Sequence, residues 1–175
     1  MPSLRLAVPP PWPPLGINAH ERGSGKTYLS DSIRILYEGV MYVAPEGEEE
    51  ELRKLITTVL AATTGVVVVF DNAMKAVRSR HFASLFTNPD GTWRDRLLST
   101  NESPGLPNDR LWIFNGNNLR MAGDLPRRVL WASIDPGEPQ PWLRTGFEIG
   151  NLLGYIKANR AGILSCILVL GRYWA

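Results

Sequence analysis

Short apolar runs and segments of helical spacing alternate along this chain. The apolar runs predict strands at residues 15–18, 39–43, 65–71, 111–114 and 129–134. The remaining pattern predicts helices at residues 28–37, 48–62, 79–86, 147–158 and 161–174. Strands that alternate with helices indicate an α/β fold with a parallel sheet, followed by a small helical unit.

The segments between these elements suggest the boundaries of the domain. Residues 1–14 form a proline-rich segment in which neither a helix nor a central strand is expected. Residues 15–136 are the predicted core, and residues 137–175 are a short helical lid; the boundary between them falls in a proline-rich stretch at 135–142. Residues 92–109 carry no clear period and are expected to be irregular.

Composition narrows the class of protein only in part. The chain has 175 residues, 44% of them hydrophobic, which suits one domain with a real core. A net charge of +2 gives no general electrostatic case for binding nucleic acid or a membrane. Its one cysteine, Cys166, excludes an internal disulfide, and its apolar surroundings predict that it is buried. No apolar run reaches the length of a bilayer span, so we expect a cytoplasmic protein without a membrane partner.

Residues 23–27 read Gly-Ser-Gly-Lys-Thr, a pattern typical of loops that bind phosphate. Glycines let the backbone N–H groups point inward, Lys26 adds a charge, and the Thr27 hydroxyl can bind Mg²⁺. The alternative is a glycine turn that merely precedes Lys-Thr. A strand before it and a helix after it favour phosphate binding, although the usual pattern has glycine where this chain has His20.

Polar residues end the next two buried runs. Asp71 follows the run at 65–70, where a carboxylate can hold Mg²⁺, or alternatively cap a helix. Many motor ATPases have glutamate at the next position, but here it is Asn72, whose amide can orient a water without accepting its proton. Asn117 follows the run at 111–114 and can contact a γ-phosphate or that water. The alternative is turn chemistry, which Asn115, Gly116 and Asn118 also suit. Of the two asparagines 117 and 118, we favour Asn117 for the phosphate contact.

A pair of adjacent arginines has two competing interpretations. Arg127 and Arg128 are either an exposed pair or arginines that a neighbouring subunit supplies to stabilise charge during phosphoryl transfer. No general base is evident, since Glu102 and Asp124 lie on predicted loops.

A basic region between residues 78 and 96 can contact DNA, because backbone phosphates and stacked bases favour basic and aromatic side chains. Helical spacing of two of its aromatic residues instead favours the core. The region comprises Arg78, Arg80, His81, Phe82, Phe86, Trp93, Arg94 and Arg96.

Taken in order, Gly-Ser-Gly-Lys-Thr, Phe-Asp-Asn at 70–72, Asn-Gly-Asn-Asn at 115–118 and Gly-Asp-Leu-Pro-Arg-Arg at 123–128 resemble AAA+ P-loop ATPases. They look most like the ATPase modules of phage and mobile-element primase-helicases. The resemblance implies an Mg²⁺-ATP-dependent ATPase that forms a homo-oligomeric ring, commonly a hexamer, and acts on DNA as a helicase or replication motor.

The same resemblance implies roles for particular residues. Lys26 would be the Walker A lysine, Asp71 a magnesium ligand with Thr27, Asn117 the first sensor, and Arg127 or Arg128 the arginine finger. Arg160 would be a second sensor. The nucleotide-binding stretch would comprise Gly23, Ser24, Gly25, Lys26, Thr27 and Tyr28.

Two other function classes fit parts of the pattern. A nucleotide-dependent assembly or switch protein with little hydrolysis is favoured by His20, Asn72 and the short lid. A small-molecule P-loop kinase fits the glycine loop but leaves Asn117 and the paired arginines unexplained.

Overall fold

A computed structural model describes residues 11–44, 48–62, 65–95 and 105–174. Its helices are α1 (Lys26–Leu36), α2 (Glu49–Ala61), α3 (Arg80–Leu85), α4 (Leu152–Ala158) and α5 (Arg160–Trp174). Its strands are β1 (Leu15–Ala19), β2 (Val40–Val43), β3 (Val67–Asp71), β4 (Thr92–Arg94), β5 (Gly105–Pro107), β6 (Leu111–Asn117) and β7 (Leu130–Ile134). Short 3₁₀ turns lie at Pro126–Arg128 and Pro141–Leu143.

Five parallel strands form the central sheet, in the order β2-β3-β6-β1-β7. The β-branched run of β3 is buried on both of its faces, as a strand inside a covered parallel sheet must be. The predicted α/β fold with a parallel sheet is therefore confirmed.

Helices cover both faces of the sheet. On one face, α2 and α3 pack over an aromatic cluster that includes Phe70, Trp112 and Phe114. On the other, α1 packs over Ile17 and its neighbours in β3 and β6. The C-terminal helices α4 and α5 pack against α1 rather than against the sheet, through Ile156 and residues around it.

Within the stretch 92–109, which was expected to be irregular, residues 96–104 lie outside the described part of the chain and two short strands occupy most of the rest. Strands β4 and β5 form an antiparallel pair. The Trp93 indole donates a hydrogen bond to Thr57 Oγ1 over 3.0 Å, and the Thr57 hydroxyl donates to Asp95 over 2.6 Å. These contacts attach the pair to α2, so side chains far apart in sequence stabilise strands too short to show a period.

Several predicted boundaries shift. Helix α1 begins at Lys26, and β6 extends through Asn117 because residues 115–117 continue the ladder beside β1. The helix predicted from residue 147 begins only at Leu152, where the Asn151 side chain caps it by accepting from the Gly154 N–H.

Cys166 is exposed, and the prediction that it is buried is wrong. It lies on α5, whose packing on α1 and α4 uses only one side of an almost wholly apolar helix.

Among the described residues, no single helix is long and apolar enough to cross a membrane. In the part of the chain that the structure describes, one pair of helices, Leu152–Ala158 and Arg160–Tyr173, is long and apolar enough when taken together, and the two are bent by 78°.

Of the proline-rich segment, residues 1–10 lie outside the described part of the chain. The Pro14 carbonyl accepts a hydrogen bond from the Leu130 N–H over 2.9 Å, which ties the start of β1 to β7.

Candidate functional site

The glycine turn, residues 20–25, links the carboxyl end of β1 to α1. Gly23 and Gly25 have φ of 70° and 94°, in the left-handed region that favours glycine. A Cβ at Gly23 would also lie 2.8 Å from Trp142 Cβ. The glycines therefore allow both the backbone path of the turn and the close approach of a later segment of the chain.

Lys26 lies at the centre of the site, and it is buried at 8% exposure. Its ammonium group donates to the Glu21 carbonyl at 3.2 Å, to Ser24 Oγ at 3.0 Å and to Asn117 Oδ1 at 2.6 Å. Burial lowers the Lys26 pKa below its ordinary value of 10.5, and the nearby Asp71 carboxylate opposes that shift. The turn thus presents a desolvated cation held in one position.

Thr27 and Asp71 meet beside Lys26. The Thr27 hydroxyl donates to Asp71 Oδ1 over 3.4 Å, joining the first turn of α1 to the end of β3. Among the residues that the structure describes, no group of three or more His, Cys, Asp or Glu side chains is placed to hold a metal ion. One carboxylate and one hydroxyl fit Mg²⁺, which commonly binds one or two protein oxygens together with phosphates and waters.

The Asn-Gly-Asn sequence at the end of β6 contacts both neighbours. Asn115 is buried, and its amide group donates to Ser30 Oγ over 2.7 Å, while its Oδ1 accepts from the Asn72 N–H over 2.9 Å. A Cβ at Gly116 would lie 2.5 Å from the Ala73 carbonyl oxygen. The sequence therefore lets the turn after β3 lie directly against β6.

The two following asparagines have different surroundings. Asn117 pairs with Ala19 at the end of β1 and receives the Lys26 hydrogen bond. Asn118 has φ of 50°, and its side chain lies 2.8 Å from His20 Nδ1. His20, which stands where the usual pattern has glycine, therefore contacts the residue just after β6.

Asn72 is exposed beside Asp71 and has φ of 57°. Its backbone N–H is held by Asn115.

The paired arginines lie away from the glycine turn of their own chain. Register pairs Leu130, at the start of β7, with Leu15, at the start of β1. Arg127 and Arg128 directly precede β7, so they lie at the sheet edge opposite to the glycine turn. They form ion pairs of 3.1 and 3.7 Å with Asp124, which is thereby also distant from the turn.

Arg160 is likewise not brought to the glycine turn. Its guanidinium donates to the Leu36 carbonyl over 2.7 Å and pairs with Glu38 at 3.0 Å. These residues lie at the C-terminal end of α1, about 15 Å from its first turn at 1.5 Å per residue. In this chain Arg160 therefore donates to a free carbonyl at the C-terminal end of α1 and so joins α5 to α1.

The basic region does not present an aromatic surface. Phe82, Phe86 and Trp93 are buried in the core, as the helical spacing of the two phenylalanines indicated. Arg94 forms an exposed ion pair with Asp90 at 2.7 Å. Arg96 and Glu102 lie outside the described residues, while Arg78 and Arg80 are exposed.

Sequence reasoning missed one wall of the site. A cavity of about 830 Å³ lies between residues 23–28, including Tyr28, and residues from the segment 141–152. Trp142 and Phe147 line it, with 56% and 63% of their surface exposed. Arg144 also lines it and is held by Glu138 at 2.6 Å. The available signal was Trp142, a large aromatic residue in the proline-rich stretch at 135–142.

Fold and site together define an α/β protein whose glycine turn, buried lysine and carboxylate meet at the carboxyl edge of a parallel sheet. No protein-family model matches the chain, and no curated protein does. Among solved structures, the apo structure of the NrS-1 C-terminal region is similar, with a TM-score of 0.52 and 16% identity over 85% of this chain. The chain covers 35% of that structure, and at this identity the similarity concerns the fold alone.

Proposed function

We propose that this chain is an Mg²⁺-ATP-binding ATPase module of the AAA+ P-loop type that it resembles, acting on DNA as a helicase or replication motor. One observation carries the proposal. The Lys26–Asn117 and Thr27–Asp71 contacts lie side by side next to the glycine turn, at the carboxyl edge where open α/β sheets bind ligands.

The phosphates would bind at residues 23–27. Lys26 is a buried cation whose nearby carboxylate only partly offsets the cost of burial, so a phosphate would stabilise its charged form. The left-handed glycines and the N-terminal end of α1 suit an anion. Thr27 and Asp71 would hold Mg²⁺, which neutralises phosphate charge during transfer.

The nucleoside would occupy the cavity beside the turn. At about 830 Å³ it falls in the usual range for small-molecule sites, roughly 300–1,000 Å³. Trp142 and Phe147 offer the flat apolar surfaces on which an aromatic base packs.

Assembly into a ring would complete this site. Arg127 and Arg128 lie at the sheet edge opposite to their own glycine turn, where they can face the turn of a neighbouring copy. An arginine supplied in this way stabilises the charge that develops on the transferred phosphoryl group.

A nucleotide-dependent switch with little hydrolysis is the second candidate function. Asn72 favours it, since an amide next to the magnesium carboxylate can orient a water but cannot remove its proton. Turnover separates the two functions, because both require Mg²⁺-ATP binding.

The first experiment measures binding of a fluorescent ATP analogue with Mg²⁺. Lys26→Ala is expected to weaken binding by at least about tenfold, the value of one charged hydrogen bond. Lys54→Ala is the matched control, because Lys54 lies on α2 in a surface ion pair with Glu51, and it is expected to bind as wild type does. Equal affinity of all three proteins would refute nucleotide binding at the glycine turn.

The second experiment measures steady-state ATP hydrolysis with and without single-stranded DNA, at concentrations where native mass shows assembly. DNA-stimulated turnover would support the motor. Tight binding without turnover would refute the motor and favour the switch.

A further inference from the structure

We propose that Asn115 is a positioning residue that holds Thr27 and Asp71, the two proposed magnesium ligands, at the separation that the ion requires. The inference rests on the proposed function, but it concerns a residue outside the Gly-Lys-Thr and Asp-Asn patterns.

One buried side chain connects the two ligand-bearing segments. The Asn115 amide donates to Ser30 Oγ over 2.7 Å, and the Ser30 hydroxyl donates onward to the Thr27 carbonyl over 3.1 Å. On its other side, Asn115 Oδ1 accepts from the Asn72 N–H, whose peptide directly follows Asp71. A continuous path of hydrogen bonds therefore runs from the Thr27 peptide to the peptide after Asp71.

The direction of these bonds requires an amide at position 115. The Ser30 hydroxyl uses its only proton on Thr27, so its oxygen must accept from Asn115. The Asn72 N–H must find an acceptor on the same side chain. An ionised aspartate supplies the acceptor but no donor. It would either repel the Ser30 oxygen or accept the hydrogen bond that Ser30 now donates to the Thr27 carbonyl.

The turn after β3 depends on the same residue. Asn72 has φ of 57°, a region that non-glycine residues seldom occupy. Two bonds to Asn115 hold it there: the Asn72 N–H to the side chain at 2.9 Å, and the Ala73 N–H to the main-chain carbonyl at 2.8 Å. Loss of the side-chain contact would let this turn, and Asp71 with it, move away from Thr27.

The test separates metal-dependent binding from nucleotide binding as such. Affinity for a fluorescent ATP analogue is measured with Mg²⁺ and again with EDTA, in wild type and in Asn115→Asp. We expect the Mg²⁺-dependent gain in affinity to fall by about tenfold, the lower range for residues that orient metal ligands, while affinity in EDTA changes less than about twofold.

Asn108→Asp is the matched control. Asn108 is equally buried on the same side of the sheet as α3, where its amide donates to the Leu85 carbonyl and its Oδ1 accepts from the Trp112 indole. The substitution removes the same kind of donor far from the site. It is expected to lower thermal stability while the Mg²⁺-dependent gain stays as in wild type.

Ser30→Ala provides an independent test that does not alter β6. It breaks the path between Asn115 and Thr27, and the same selective loss of Mg²⁺-dependent affinity is expected. With Asn115→Asp combined, the loss should not exceed the larger single loss, because both changes interrupt one path.

Three results would overturn the inference. The first is a Mg²⁺-dependent gain in affinity that stays unchanged in both Asn115→Asp and Ser30→Ala. The second is a loss of affinity in these variants that is as large in EDTA as in Mg²⁺. The third is a selective loss of Mg²⁺-dependent affinity in Asn108→Asp as large as that in Asn115→Asp. If wild type itself gained no affinity from Mg²⁺, the proposed function would fail first, and the inference with it.

Discussion

Gly116 is the position where the packing of the site can be tested most directly. The residue lies in β6 between Asn115 and Asn117, and an added Cβ would lie 2.5 Å from the Ala73 carbonyl oxygen. A real Cβ atom essentially never lies closer than 3.0 Å to a heavy atom beyond its own residue and its chain neighbours, so something must shift. In Gly116→Ala the turn after β3 must therefore move away from β6 by at least several tenths of an ångström.

The expected cost follows from what that movement disrupts. The hydrogen bonds from Asn72 and Ala73 to Asn115 would lengthen, at a net value of about 1 kcal/mol each. Forcing a methyl group into a packed interior typically costs about 1–3 kcal/mol. Because relaxation would relieve part of both, we expect the free energy of unfolding to fall by about 3 kcal/mol.

Denaturant unfolding, followed by far-UV circular dichroism, measures this change. Gly162→Ala is the control, since Gly162 lies in α5 with open space around the position of a Cβ, and alanine there is expected to cost nothing. An unfolding free energy for Gly116→Ala within about 0.5 kcal/mol of wild type would refute the close approach of the two segments.

Three further predictions concern the cavity, the lysine and the arginines. Trp142→Leu should weaken binding of the ATP analogue about three- to tenfold, a loss of about 1 kcal/mol of aromatic contact, whereas Trp131→Leu on β7 should not. Because burial lowers the Lys26 pKa below 10.5, affinity should fall as the pH rises through that lowered pKa. Between the lowered pKa and 10.5, the unfolded chain binds more protons than the folded chain, so the free energy of unfolding should rise with pH. In Lys26→Met, pH titrations of binding and of unfolding should show neither the fall in affinity nor the rise in stability. Arg127→Ala and Arg128→Ala should leave monomer binding unchanged and lower turnover of the assembled protein; loss of monomer binding would contradict their action in a neighbouring copy.

The sequence predicted the strands of the central sheet and the residues that meet at its carboxyl edge. The β-branched run before Asp71 is a strand because it is buried on both faces, and no other element accommodates such a run so well. The proximity of Lys26, Asp71 and Asn117 also followed, since carboxyl ends of parallel strands share one edge.

The remaining features depend on contacts that sequence spacing does not encode. Trp142 lines the site because its segment packs against Gly23, and nothing near Trp142 in sequence signals that contact. Asn115 resembled a turn residue until its buried partners on α1 and after β3 were visible.

The family resemblance and the apolar pattern did not predict the surroundings of two further residues. Arg160 matched an expected second sensor by order along the chain, yet its guanidinium is engaged by Leu36 and Glu38. Cys166 lay in an apolar run, but a helix that is apolar on all sides hides only the side that has a neighbour.

The contact between Gly23 and Trp142 joins the glycine turn to the stretch of chain that leads into α4 and α5. Where the C-terminal helices move together with this contact, a ligand that favours one arrangement of it also favours the matching placement of the helices, and the converse holds by thermodynamic reciprocity. A macromolecule that binds α5 would then change ligand affinity at the turn by the same factor as the ligand changes the affinity of that macromolecule. Cys166, exposed on α5 and the chain's single thiol, gives a natural attachment point for a dye that would report such coupling in solution.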